Sequence, residues 1–219
     1  MIRYSVVLLD LDGTLLDTRL DLAASTNHVR QIFGLPALAS SDVERLVGHG
    51  ARVLVERALG AERSAHFDEG VKRFLEHYGE HCVDQTAPYP GMIDLFDSLA
   101  PLGVRFAVLT NKPERLTRKI LDALGLLPRL AAVVGGDTFP ERKPHPRGAQ
   151  HVLEVCHSTR SEALLAGDSP VDVETALAAK IAFCGVLWGF DPDGLRARGI
   201  DVLARDAAEL GGIIREGAR

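Results

Sequence analysis

The sequence has little with which to cross-link itself. Its three cysteines, Cys82, Cys156 and Cys184, are an odd number, lie far apart and form no CxxC pair. That argues against a disulfide framework and against a structural zinc site, and leaves them as reduced core thiols. Basic charge is not in excess either. Lys and Arg number 25 against 30 Asp and Glu, for a formal charge of −5. The two signs are interspersed, so no electrostatic track for nucleic acid exists and a small diffusible partner is expected. A long apolar run is missing at the start: MIRYSVVLLD holds only Val6 to Leu9 uninterrupted. This is too short for a signal or transmembrane segment, so the expectation is no membrane and a cytoplasmic location. Internal repeats and low-complexity tracts are absent, while 46% apolar residues in 219 can build a sizeable interior.

What is present is an alternation of short β-rich runs with helical stretches. The runs fall at 5–10, 104–109, 131–134, 162–166 and 182–187, which predicts a parallel α/β sheet. Pro113 reads as a first helical residue, Leu116, Ile120 and Leu124 follow at four-residue spacing, and Gly125 closes that helix. Gly34 and Gly60 read as further helix stops. Between about 15 and 85 no convincing strand stands out. Leu22, Thr26, Val29 and Phe33 mark one helical face there, Phe67, Val71, Phe74 and Tyr78 another, and Ser41 with Glu44 has the spacing of a capping box. An all-helical block thus interrupts the sheet after its first strand, and DQTAPYPG at 84–91, rich in Pro and Gly, reads as its hinge.

Polar residues gather at the ends of these strands. Asp10 and Asp12 end the first, Thr110 and Asn111 the second, Lys143 follows the third and Asp168 the fourth. In open parallel sheets the ligand crevice lies at the carboxyl ends of the strands. Each position has an ordinary explanation alone, as a cap or a turn. Together they suit phosphoryl transfer, since close carboxylates repel unless a cation offsets them. Asp10 is the candidate nucleophile, carrying phosphorus as an aspartyl phosphate. Asp12 would protonate the departing alkoxide and deprotonate the attacking water. Mg²⁺ would be held by Asp10 and Asp168 with a contribution from Asp12, and Asp172 would hold a metal-bound water. Thr110, Asn111 and Lys143 would supply donors to the phosphate.

The set DLDGT at 10–14, LTN at 109–111, RKPHP at 142–146 and GDSPVD at 167–172 resembles the four motifs of the haloacid dehalogenase-like hydrolase superfamily. The resemblance implies a Rossmann-like core, residues 1–14 and 86–219, with a helical cap at 15–85, and puts the same roles on Asp10, Asp12, Thr110, Lys143 and Asp168. LVGHGARVLVERAL at 46–59, PYPGM at 88–92, GGDTFPERKPHP at 135–146 and GVLWGF at 185–190 are similar to phosphoglycolate phosphatases. Pro170, Val171 and Lys180 depart from the family pattern around the fourth motif.

The expected activity is therefore hydrolysis of a small phosphomonoester, 2-phosphoglycolate first. Cap residues should select the substrate, with Gly48, His49 and Arg52 of VGHGAR candidates to reach a small carboxylate. For His49 a plain helix-to-helix turn competes, and for Arg52 a solvated position. Alternatives are a phosphatase or pyrophosphatase of other specificity, a phosphomutase, a receiver-like phosphoprotein and an inactive scaffold. Thr14 tilts against the mutase, and the early DLDGT pair against the receiver. His77, His81 and His151 lack metal-ligand spacing, Trp188 reads as core or rim packing, and a homodimer stays open.

Overall fold

All four side chains of β1 (Val6–Leu9) are fully buried. A strand apolar on both faces needs cover on both sides. Val7 and Leu9 enter one hydrophobic cluster and Val6 and Leu8 a second on the opposite face, as period-two alternation requires. The computed structural model describes residues 2–217.

After β1 comes the short β2 (Leu16–Asp17), then α1 (Arg19–Ile32), α2 (Ser40–Glu44), α3 (Ala51–Leu59) and α4 (Phe67–His81), then β3 (Ala87–Pro88). Helices and strands alternate from there: α5 (Met92–Leu99), β4 (Arg105–Leu109), α6 (Glu114–Ala123), β5 (Leu130–Val134), α7 (Arg147–Val155), β6 (Ala163–Gly167), α8 (Pro170–Ala179), β7 (Ala182–Val186), α9 (Pro192–Ala197), β8 (Leu203–Ala204) and α10 (Ala207–Glu216). The main sheet has the order β5-β4-β1-β6-β7-β8 with every pair parallel. Helices α5, α6 and α10 pack on the Val7 side, and α7 and α8 on the Val6 side. This is a Rossmann-like α/β core with an all-helical block inserted after the first strand. β1 lies at the centre, where the chain moves to β4 on one side and β6 on the other, so its carboxyl end opens at the switch point. Leu9→Ala would leave a void there and cost about 2–5 kcal/mol.

Inside the helical block, Leu22 and Val29 of α1, Leu54 and Leu59 of α3, and Phe74 and Tyr78 of α4 are buried together. The chain enters and leaves the block through an antiparallel ribbon that pairs Leu16 with Pro88 and Asp17 with Ala87. Buried Asp21 ties down the return segment, accepting from the Thr86 N–H at 2.9 Å and the Thr86 hydroxyl at 2.7 Å.

Three local expectations need correction. The Ser41–Glu44 capping box does not form: α2 already begins at Ser40, lasts one turn and has no side-chain cap, because the chain becomes helical before Ser41 can act as its boundary. Pro113 stands just outside α6 with ψ 135°, one residue earlier than expected. The two-residue strands β2, β3 and β8 were not anticipated, being too short to display an alternation. Gly34, Gly60 and Gly125 do end helices, all at positive φ. No helix among the described residues is long and apolar enough to cross a membrane.

Candidate active site

Asp10 follows β1 directly, and its backbone N–H donates to the Ala166 carbonyl at 3.0 Å. This extension of the ladder fixes the carboxylate between β4 and β6. Its Oδ1 lies 2.8 Å from Lys143 Nζ, close enough for an ion pair but off the angle of a hydrogen bond, and it has no other partner. Burial raises the Asp10 pKa to about 6, with Lys143 pulling it down and Asp172 and Asp12 pushing it up. Lys143 also donates to Asp172 Oδ1 at 2.7 Å. Burial alone would lower its pKa, but the Asp10 and Asp172 carboxylates more than offset that and hold it charged.

Asp168, at the end of β6, accepts from the Phe190 N–H at 2.6 Å. Burial, then Asp10 and Asp172, push its pKa well above the carboxylate range. The turn after β1 passes so near Asp168 that a Cβ on Gly13, at φ 81°, would stand 2.1 Å from its Oδ2. Only glycine fits that position. Trp188 tethers the same turn, its indole N–H donating to the Thr14 carbonyl at 3.0 Å.

Asp10, Asp168 and Asp172 each offer an oxygen within 4.8 Å of the others. Three buried carboxylates around one ammonium, with Asp10 Oδ1 in contact with nothing but that ammonium, lack positive charge. An all-oxygen donor set of this kind fits a hard divalent cation. Within it Asp172 plays a narrower part than its sequence position suggests. Its Oδ1 is taken by Lys143 and its Oδ2 by the Ser169 hydroxyl at 2.6 Å and N–H at 3.2 Å, the capping box that starts α8. It therefore anchors Lys143 beside Asp10. Pro170 occupies the first turn of α8, and Lys180 ends the helix with φ 57°.

Asp12 points elsewhere. Its carboxylate leaves the acidic trio to pair with the ammonium of Lys112, and it accepts from the Thr18 hydroxyl at 2.7 Å. Among the expected metal-binding acids it is thus the one whose side chain stands apart from the cluster. Thr110, 3% exposed, opens onto the same cavity. The Asn111 amide is already used: it donates to the carbonyls of Gly48 and Lys143.

The cavity between core and helical block holds about 450 Å³ and is lined from below by Asp10, Asp12, Thr110, Asn111 and Asp168. Gly48 and His49 reach its roof. Burial of the His49 ring, then Arg57 and Arg142, lower its pKa. Arg52 does not reach it. Its guanidinium turns outward to Asp68 and to Glu56, the latter at 3.1 Å. The reason is helical phase: Ala51 and Leu54 face the cavity at the start of α3, and Arg52 lies off that face beside its i+4 partner Glu56. Arg57, one turn beyond Leu54, does line the cavity, as does Arg45, and Arg57 has no ion-pair partner among the described residues.

Sequence reasoning missed Lys112, Tyr78, Thr18 and Arg57. The lysine was in plain view in LTNKP, one residue past the stretch that drew attention.

Comparisons with known proteins point to one family. The haloacid dehalogenase-like hydrolase family model matches residues 7–186. A phosphoglycolate phosphatase of Mesorhizobium japonicum is 38% identical over 189 residues, spanning 84% of this chain and 83% of that protein. One from Chromobacterium violaceum is 37% identical over 98% of both. The crystal structure of a predicted phosphoglycolate phosphatase from Haemophilus somnus superposes with a TM-score of 0.89 at 28% identity, over 97% of this chain and 99% of that one. With its buried acidic strand ends and its helical insertion, the chain belongs to the haloacid dehalogenase-like hydrolase family.

Proposed function

We propose that this chain is a Mg²⁺-dependent phosphatase that hydrolyses small anionic phosphomonoesters, 2-phosphoglycolate foremost, through an aspartyl phosphate. The observation that carries the reading is the division of labour between two carboxylates two residues apart. Asp10 sits in the acidic trio against Lys143, whereas Asp12 is turned to Lys112 and Thr18. Two acids in two environments can take two roles.

Asp10 attacks phosphorus in line with the leaving alkoxide, which takes its proton from Asp12. Asp12 then takes a proton from the water that attacks the aspartyl phosphate, and inorganic phosphate departs with Asp10 restored. The Thr110 hydroxyl, the backbone at Asn111 and the Lys143 ammonium hold the phosphoryl oxygens as charge shifts among them. Asp10 and Asp168, with Asp172 behind them, would hold Mg²⁺, which when bound would supply the positive charge that lets Asp10 be ionised beside an anionic substrate.

Residues 15–85 act as a cap that closes over the core on the β2–β3 ribbon and the 84–91 segment, excluding water. The cavity under it suits a small ester. Arg57, with no acidic partner among the described residues, faces the space beside the phosphate and suits a substrate carboxylate. The likeness to proteins named phosphoglycolate phosphatase supports the same choice.

The test is a screen of the purified protein with Mg²⁺ against small phosphomonoesters and pyrophosphate. Phosphoglycolate should have the highest kcat/KM. If glycerol phosphate or pyrophosphate is turned over as fast, the substrate assignment fails, and if no phosphomonoester is hydrolysed the activity itself does.

A further inference from the structure

Asn111 and Lys112 follow Thr110 at the end of β4, and each side chain is held at two points, one in the helical block and one in the core. The Asn111 amide nitrogen donates to the carbonyl of Gly48, in the loop between α2 and α3, at 2.9 Å and to the carbonyl of Lys143 at 3.0 Å. The Lys112 ammonium donates to the Tyr78 hydroxyl of α4 at 2.8 Å and to the Asp12 carboxylate. Both residues are only 6% exposed.

The Asn111 amide spends both hydrogens on these carbonyls, while its Oδ1 is buried with no donor. A buried acceptor left unpaired costs about 1–3 kcal/mol. Turning the amide over would aim that oxygen at two carbonyl oxygens, so the orientation is fixed by the bridge. The loop sits tightly here as well: a Cβ on Gly50 would lie 3.1 Å from the Asn111 carbonyl oxygen. At the other grip, Tyr78 is fully buried and burial keeps its hydroxyl neutral, so it serves Lys112 as a polar oxygen without competing with Asp12 for charge.

We infer that the Asn111-Lys112 dipeptide couples seating of the helical block to assembly of the reacting groups. Seating the Gly48 loop orders the backbone that carries Lys143, and seating Tyr78 fixes the ammonium that holds Asp12. Both act as positioning residues, because in these contacts neither side chain touches substrate. Lifting the block removes one of the two partners from each. The reacting constellation is then complete only when the cavity is closed to water, which ties chemistry to closure. This coupling rests on the phosphatase reading above.

The experiment combines a mutant cycle with amide hydrogen exchange. Tyr78→Phe, Lys112→Met and the double variant are assayed with Mg²⁺ on 2-phosphoglycolate and on p-nitrophenyl phosphate. Tyr78→Phe should lower kcat about tenfold on both substrates with little change in KM, the scale of one hydrogen bond to a charged group. The double variant should be no slower than Lys112→Met alone, because the Tyr78 contact acts through that lysine. Asn111→Ala, with Mg²⁺ and inorganic phosphate present, should speed exchange both in 45–54 and in 138–148, with β1 and β6 unchanged as the folding control. Should Lys112→Met fail that control, Lys112→Gln takes its place in the cycle. Multiplying losses in the double variant, or faster exchange on one side of the Asn111 bridge only, would overturn the coupling. A wild-type protein that hydrolyses no phosphomonoester would instead refute the phosphatase reading, and the two-sided exchange response would still decide whether the bridge exists.

Discussion

Asp10 and Asp168 on the floor of the cavity, and Lys143 and Asp172 packed against them, are all 6% exposed or less, and each meets a neighbouring charge or a backbone group. On the roof Arg45 and Arg57 are exposed, as is Arg52 on the outer side of the same helical block, and among the described residues their ion pairs are surface ones or none. The two regions answer to different physics. Below, burial makes every charge expensive unless its neighbours compensate it, so one change disturbs all four. Above, solvent screens the arginines and each can change nearly alone. In the proposed scheme the floor sets the reaction and the roof chooses among substrates.

The severest way to break this contrast is at Asp10. Asp10→Asn should abolish turnover, because a neutral amide does not attack phosphorus, and it should leave a folded and more stable protein. The sign follows from the raised pKa. Between its ordinary value of 3.8 and about 6 the folded protein holds a proton on Asp10 that the unfolded chain releases. The metal-free wild type therefore loses stability as pH rises through that window, and the loss is complete above it. Thermal melts in chelator should show the melting temperature of the variant pulling ahead of wild type across the window; a constant gap would contradict the assigned environment. Chelation should likewise remove activity, Mg²⁺ should restore it and Ca²⁺ inhibit, since its looser coordination misplaces the reacting oxygens. Full rate in excess chelator would remove the metal from the scheme.

Asp12→Ala should be milder, a loss of about 10²- to 10⁴-fold in kcat that is largest for poor leaving groups. A wild-type rate on such a substrate would free Asp12 from acid/base work. On the roof the effects shrink and become selective. Arg57→Ala should raise KM for phosphoglycolate about tenfold while sparing a neutral aryl phosphate, as loss of one charge-assisted contact implies. Arg52→Ala should move neither, and a phosphoglycolate-specific effect there would reverse the assignment of the two arginines.

The smallest effect belongs to the outer face of the block. There the His77 ring stacks between His28 and His81, at centroid distances of 4.2 and 4.5 Å, and the Ser25 hydroxyl lies 2.9 Å from its Nδ1. Burial, then His28 and His81, lower its pKa, against the pull of Glu80 and Asp84. The folded protein thus resists a proton that the unfolded chain accepts near pH 6.5. Stability should fall as pH drops through that value, and His77→Gln should flatten the response in melts of the metal-bound protein.

The same contrast explains what could be read from residue order. Acids and Lys143 at strand ends were legible because their chemistry demands a residue type at a point that the strand pattern locates. Arg52 stayed open between the cavity and a solvated position because sequence gives its neighbours but not the phase of α3 against the cavity, which the packing of Leu54 and Val55 sets. Lys112 was overlooked because a lysine before proline at a strand end reads as surface loop. Nothing local announces that its long stem turns inward to Asp12. Asp172 was seen near the metal, but its bond to Lys143 spans 29 residues and exists only in the folded chain.

Trp188 has a practical consequence. It is the only tryptophan in the chain, and its indole N–H is bonded to the turn between Asp12 and Leu16, two residues before the Phe190 amide that holds Asp168. All tryptophan emission from this protein therefore originates at the rim of the reaction site. Its intensity and wavelength should follow cation or phosphate binding as the Thr14 turn settles, giving an unlabelled optical titration of the site in the wild type and in every variant above.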